Sequence, residues 1–109
     1  GASRDNDITV TQSGNGNLAT LAQNGASALE VSRENTATAT QGGNSNTATA
    51  TQNGNSRDNV TTIDQAGNTN RATVAQNGSS TTRPSRDNVA AITQGGNSNT
   101  ATTSQNGNS

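Results

Sequence analysis

The sequence predicts an all-β protein, a β-solenoid of four strand-turn-strand rungs stacked as two facing parallel sheets with amyloid-like cross-β spacing. Three observations predict this fold class. All eight Gln residues recur at the same positions of four repeated units. Side chains alternate along each unit with the period of two that is typical of strands. Only 24% of the residues are hydrophobic and none is aromatic, so the chain cannot build a conventional globular core.

The repeated unit reads N-x5-Q-x-G-x2-N-x-A-x3-Q in the one-letter code. The second Gln of each unit is followed by Asn-Gly, a dipeptide that favours a turn. The four units are 6–23, 35–52, 59–76 and 88–105. The connectors between them are 24–34, 53–58 and 77–87. We expect a single solenoid domain over residues 1–109, because such rungs bury their inner faces only by stacking.

The alternation predicts which side chains face the inside of the solenoid. Amides at the strand ends should form inward ladders, since stacked amides can satisfy one another from rung to rung. These amides are Asn6, Gln12, Asn17, Gln23, Asn35, Gln41, Asn46, Gln52, Asn59, Gln65, Asn70, Gln76, Asn88, Gln94, Asn99 and Gln105. The inward apolar side chains are Ile8, Val10, Ala19, Leu21, Ala48, Ile63, Ala72, Val74, Ile92 and Ala101. The turn glycines between the two strands of a rung are Gly14, Gly43, Gly67 and Gly96.

Composition excludes several classes of function. Without Cys or His the chain has no disulfide, thiol nucleophile, Ser-His-Asp triad or typical zinc site, so we expect no catalytic residue, no metal and no cofactor. The net charge is −1 and the Arg residues are scattered, which argues against a nucleic-acid partner. No apolar run approaches the roughly 20 residues that a membrane-spanning helix needs. The sequence therefore predicts a protein that is not an enzyme.

The end rungs, 6–23 and 88–105, are predicted to expose unpaired backbone groups that can template another chain. Residues 106–109 repeat 53–56, which lead directly into the third unit. We therefore expect head-to-tail assembly, in which residues 1–5 of a neighbour continue the stack. The alternative is a monomeric solenoid whose ends are shielded by 1–5 and 106–109.

Outward-facing residues leave other interpretations open. Outward Thr rows could bind ice as in a monomeric ice-binding β-solenoid, but the full row appears only in the second unit. The other units interrupt it with Leu18, Val60, Val89 and the charged residues Asp7, Asp64 and Arg71. The three aliphatic side chains could instead pair filaments, although scattered exposed aliphatics are normal. An Arg-acid pair precedes each unit and is expected at a solvated corner, where such pairs contribute about 0–1 kcal/mol.

The unit resembles the repeat of curlins, the subunits of bacterial curli fibres, which reads S-x5-Q-x-G-x-G-N-x-A-x3-Q. The first unit matches it at Gln12, Gly14, Gly16, Asn17, Ala19 and Gln23. The other units have Ser45, Thr69 and Ser98 in place of Gly16, and all four begin with Asn instead of Ser. The resemblance implies a secreted structural subunit that self-assembles into an extracellular amyloid fibre at the bacterial cell surface. It also implies a role in biofilm matrix and adhesion, with a nucleator subunit and secretion machinery as partners.

Overall fold

The computed structural model of the chain describes residues 2–24, 31–54, 56–77 and 85–106. All regular secondary structure in these ranges is β-strand, and the strands pair in parallel. The predicted fold class is confirmed. The strands are β1 (Ala2–Arg4), β2 (Asp7–Gln12), β3 (Leu18–Asn24), β4 (Val31–Arg33), β5 (Thr36–Gln41), β6 (Thr47–Asn53), β7 (Ser56–Arg57), β8 (Val60–Gln65), β9 (Arg71–Asn77), β10 (Ser85–Arg86), β11 (Val89–Gln94) and β12 (Thr100–Asn106).

The strands form three four-stranded sheets. We call β2, β5, β8 and β11 the upstream sheet, β3, β6, β9 and β12 the downstream sheet, and β1, β4, β7 and β10 the corner sheet. One upstream strand and the downstream strand that follows it make a rung. Rungs 1 to 4 stack in chain order, so β2 and β3 lie at one end and β11 and β12 at the other.

Neighbouring rungs pair position for position. Gln12 pairs with Gln41, Gln41 with Gln65, and Gln65 with Gln94 in the upstream sheet. The downstream sheet keeps the same register from Gln23 to Gln105. Because each position of the unit stacks on its own copy, every inward column runs unbroken through the four rungs.

The corner sheet was not predicted. The sequence prediction contains only two sheets and places no strand in the connectors. Its strands are two or three residues long, too short to show a side-chain period. The acid after each one bends the chain with a positive φ of 48° to 54°. The predicted Asn-Gly turn is described only at Gly54, which has φ 76°. The turns at Gly25, Gly78 and Gly107, the connector residues 25–30, 55 and 78–84, and the predicted join of 106–109 to Gly1 lie wholly or partly outside the described residues.

A narrow apolar core lies between the upstream and downstream sheets. Ile63 and Val74 of rung 3 are fully buried in it, and Ile92 of rung 4 is 6% exposed. Rung 2 contributes only alanines to this core, which pack against the larger side chains of rung 3. Small side chains are sufficient to fill this core because the amide columns on both sides hold the two sheets together.

The end rungs differ from the predicted inward burial. Ile8 and Val10 of β2 lie in register with the buried Ala37 and Ala39, yet each is 45% exposed. At the other end it is the downstream strand β12 that is uncovered, while Ala90 and the rest of the inward face of β11 remain buried. Of the other predicted inward residues of the end rungs, Gln12 and Asn99 are exposed, and the half-buried ones are Asn6, Asn17, Ala19, Leu21, Asn88, Ala101 and Gln105.

Candidate assembly surface

A glutamine ladder runs along the inside of the upstream sheet. Each Gln donates a hydrogen bond from its Nε2 to the Oε1 of the Gln in the next rung. The donor–acceptor distances are 2.6 Å from Gln12 to Gln41, 2.9 Å from Gln41 to Gln65 and 2.8 Å from Gln65 to Gln94. Gln41 and Gln65 are at most 1% exposed. Every donor points toward the C-terminal end of the stack, so the ladder is polar.

The downstream ladder has the same direction. Its distances are 2.7 Å from Gln23 to Gln52, 2.8 Å from Gln52 to Gln76 and 2.7 Å from Gln76 to Gln105. The same Nε2 groups also donate across the core to backbone carbonyls of the upstream sheet, as from Gln23 to Asp7 O at 3.2 Å. These amides therefore join rung to rung and sheet to sheet.

Asparagine ladders lie where each strand begins. The Oδ1 of Asn17 accepts from the backbone N–H of Asn46 at 2.9 Å, and the pattern repeats from Asn46 to Asn70 and from Asn70 to Asn99 at the same distance. The Asn side chain takes the place of a backbone acceptor at the edge of the turn, which is why the strand starts one residue later. Asn6, Asn35, Asn59 and Asn88 make the equivalent bonds at 2.9–3.0 Å before the upstream strands.

The turn glycines allow the turns to stack. Gly14, Gly43, Gly67 and Gly96 have φ between 81° and 93°, which L side chains rarely adopt. A Cβ on Gly14, Gly43 or Gly67 would also collide with the carbonyl oxygen of the matching glycine in the next rung. Gly96 meets no such oxygen because it lies in the last rung.

A further ladder outside the turns was missed by the sequence analysis. The Oδ1 atoms of Asn44, Asn68 and Asn97 accept the backbone N–H of the preceding Asn in the series, at 2.9 Å, 3.0 Å and 3.1 Å, beginning with that of Asn15. All four side chains are exposed. The signal was present, because the third residue after the first Gln is Asn in every unit.

The two ends of the downstream glutamine ladder are chemically complementary. The Oε1 of Gln23 is buried and finds no hydrogen-bond partner within the described ranges. The matching Oε1 atoms of Gln52, Gln76 and Gln105 each accept from the preceding rung. At the other end, the Nε2 of Gln105 donates to Val89 O at 3.3 Å and has no further rung to reach. One end of the stack thus presents an acceptor and the other a donor.

The corner carries a column of like charges. Arg4, Arg33 and Arg57 pair in register along the corner sheet, and an acid follows each of them. The hydrogen bond between Glu34 and Asp58, followed by the charge of Asp58, raises the pKa of Glu34 above its ordinary value. The Arg33 Nε is buried without a partner in the described part of the chain. The corner therefore brings Glu34 and Asp58 of neighbouring rungs close enough to interact.

Little else in the described residues resembles a reactive site. Their acids form no cluster of three that could hold a metal ion, and they enclose no cavity for a small molecule. No helix within them has the length and apolar character to cross a membrane.

Comparison with known families agrees with the geometry. The sequence-family model of the curlin associated repeat matches residues 4–28, 33–56 and 57–82. The fourth unit, 88–105, lies beyond these matches but pairs in register with the third. No curated protein matches the chain, and none of these findings supports the ice-binding alternative. Since the matched repeats cover more than half of the chain, the protein belongs to the curlin family, whose members are structural subunits of secreted extracellular amyloid fibres.

Proposed function

We propose that this protein elongates a curli-like amyloid fibre head to tail, with rung 1 of an incoming copy docking on rung 4 of the copy before it. β2 then continues the upstream sheet on β11, and β3 continues the downstream sheet on β12. Open strand edges of this kind template the addition of a further strand. The growth step is nucleated edge pairing, without catalysis.

The observation that carries the proposal is the buried Oε1 of Gln23, which has no donor among the described residues. A buried polar atom left unpaired costs about 1–3 kcal/mol. The Nε2 of Gln105 from a neighbouring copy supplies that donor if the 2.7 Å contact between Gln76 and Gln105 is repeated across the junction. A head-to-head contact would instead bring acceptor against acceptor, so the ladders favour polar growth.

Apolar burial supports the same junction. The register places Ile8 of the incoming copy over Ala90, and Val10 over Ile92. Ile8 and Val10 are 45% exposed in the single chain. Covering them contributes roughly 1 kcal/mol each, because full burial of such a side chain is worth about 1.5–3 kcal/mol.

The wider setting follows from the family. We propose that the chain is secreted to the bacterial cell surface through a dedicated export machinery. There its fibre grows from a nucleator subunit and functions in the biofilm matrix and in adhesion. Single rungs of this type contribute little stability alone, so the chain can be exported unfolded and fold once its own four rungs stack.

Gln105→Glu tests the junction. The Glu keeps an oxygen to accept from Gln76 but loses the outgoing donor and puts a carboxylate against Gln23 of the next copy. We expect seeded elongation, followed by thioflavin T fluorescence and electron microscopy, to be lost. The matched control is Thr102→Glu, which places the same charge on the outer face of the same strand. Normal elongation by Gln105→Glu would overturn the proposed junction.

A further inference from the structure

We propose that fibres of this protein associate side by side, with the outer face of the upstream sheet of one copy against the outer face of the downstream sheet of a second copy. Asp64 of one copy then lies opposite Arg71 of the other. The inference rests on the proposed function, because it needs filaments that can pair.

The charges on the two outer faces are opposite in sign. Among the described strands, the upstream outer face carries Asp7 and Asp64, and the downstream outer face carries Arg71. Asp64 and Arg71 are both exposed. Pairing two upstream faces would bring acids together, and pairing two downstream faces would bring Arg71 toward Arg71, so contact between unlike faces is favoured.

The position of the two charges fits a simple translation. Asp64 is the last outward residue before the turn at 66–70, and Arg71 is the first outward residue after it. A copy displaced perpendicular to the sheets keeps its turns on the same side and its rungs at the same level. Its Asp64 therefore comes opposite Arg71 of the first copy, in the same rung and at the same distance from the turn.

The uncharged outward residues of the two faces also lie opposite one another after the same displacement. Counted outward from the turn, rung 2 places Thr40 opposite Thr47, Thr38 opposite Thr49 and Thr36 opposite Thr51. In rung 3, Thr62 lies opposite Thr73 and Val60 opposite Ala75. All these side chains are half-buried or exposed in the single chain and therefore accessible. Short side chains such as these allow two sheets to approach to about 10 Å, as in the dry interfaces of cross-β assemblies.

The charge pair also fixes the register between filaments. It occurs once in each four-rung copy, about every 19 Å along the fibre at ordinary strand spacing. Sliding one filament by a rung places Asp64 opposite Thr47 or Thr100 and loses the pair in every copy. A single exposed ion pair is weak, but its repetition along two filaments adds up. Because the contact joins unlike faces, it does not close, and filaments add into ribbons.

Charge reversal tests the contact. We expect Asp64→Arg and Arg71→Asp each to give filaments of single width that elongate at the wild-type rate, because neither side chain touches the inward ladders. The double variant Asp64→Arg/Arg71→Asp should regain the wild-type ribbon width, since the pair is restored with its charges exchanged. The matched control is Asp7→Asn on the same outer face, which should leave the width unchanged because Asp7 lies opposite Ala22.

Widths and elongation rates measured by electron microscopy separate the outcomes. Filaments of both single variants with the wild-type ribbon width, or a double variant that stays single, would overturn the side-by-side contact and leave the proposed function intact. A wild-type protein that forms no filaments at all would overturn the proposed function, and the lateral contact with it.

Discussion

Gln23 donates from its Nε2 to the Oε1 of Gln52 at 2.7 Å, while its own Oε1 is buried and accepts nothing within the described ranges. The bond and the missing bond belong to the same ladder. Gln23 thus has one half of the bonding of an interior rung, and in the proposed fibre the preceding rung belongs to another copy. In the proposed fibre this asymmetry sets the direction of growth, and the two ends are expected to respond differently to substitution.

Gln41→Glu should unfold the solenoid subunit and prevent fibre formation. The Nε2 of Gln41 donates to Gln65 and to Leu18 O, and a carboxylate in its place would be buried facing acceptor oxygens. An unpaired buried charge costs about 3–5 kcal/mol. Circular dichroism and denaturant titration measure the loss. Thr38→Glu, on the outer side of the same strand, should change stability by less than about 0.5 kcal/mol, and equal damage by both would contradict the inward assignment of Gln41.

Gly43→Ala and Gly96→Ala should separate folding from growth. A Cβ on Gly43 collides with the carbonyl of Gly67 within the chain, so this variant should fail to fold. A Cβ on Gly96 has nothing nearer than Asn99 Nδ2 at 3.9 Å, yet in the proposed junction it meets Gly14 of the next copy. Gly96→Ala should therefore fold with only the strain of its positive φ and stop seeded elongation.

Gly95→Ala is the control for the turn, because a Cβ there has no neighbour within 4 Å and its φ is not positive. It should both fold and elongate. Elongation by Gly96→Ala at the rate of Gly95→Ala would argue against stacking of Gly14 on Gly96.

Acid should strengthen the corner. The shared hydrogen bond with Asp58 raises the pKa of Glu34 above its ordinary value of 4.5, so the folded chain binds a proton more tightly than the unfolded one. This stabilisation is fully present below the ordinary pKa and is lost as pH rises through the raised pKa. Denaturant midpoints measured from pH about 4 to about 7 should fall more steeply for wild type than for Glu34→Gln. Parallel curves for the two proteins would contradict the raised pKa of Glu34.

The outer asparagine ladder should contribute measurably to the stability of the folded chain in the middle of the stack, but not at its first residue. Asn68→Ala removes the Oδ1 that accepts from the backbone N–H and Nδ2 of Asn44, at 3.0 Å and 3.1 Å. Each lost bond costs about 0.5–1.5 kcal/mol. Asn15→Ala keeps the backbone donor of Asn15 to Asn44 and should have little effect on the single chain. Similar denaturation midpoints for the two variants would contradict a stabilising ladder.

The sequence could predict the fold class because the Gln register and the period of two both survive in every unit. It could not predict how deeply each unit is buried, since this depends on the place of the rung in the stack. Ile8 of β2 and Ile63 of β8 both face inward in the upstream sheet, yet Ile8 is 45% exposed and Ile63 is fully buried. The corner sheet is set by the packing of neighbouring rungs and leaves no periodic signal in two or three residues.

The most direct test of head-to-tail stacking is a disulfide cross-link between the two ends. The chain has no cysteine of its own, so no native thiol competes with the introduced ones. Thr9 and Ala91 are exposed positions of β2 and β11 that share one outward column, and stacked copies bring them about 4.8 Å apart, within the range of a disulfide. Fibres grown from an equal mixture of Thr9→Cys and Ala91→Cys chains should, on oxidation, give mixed dimers that join one chain of each kind. Dimers formed by either variant alone, with no mixed dimers from the mixture, would contradict head-to-tail assembly.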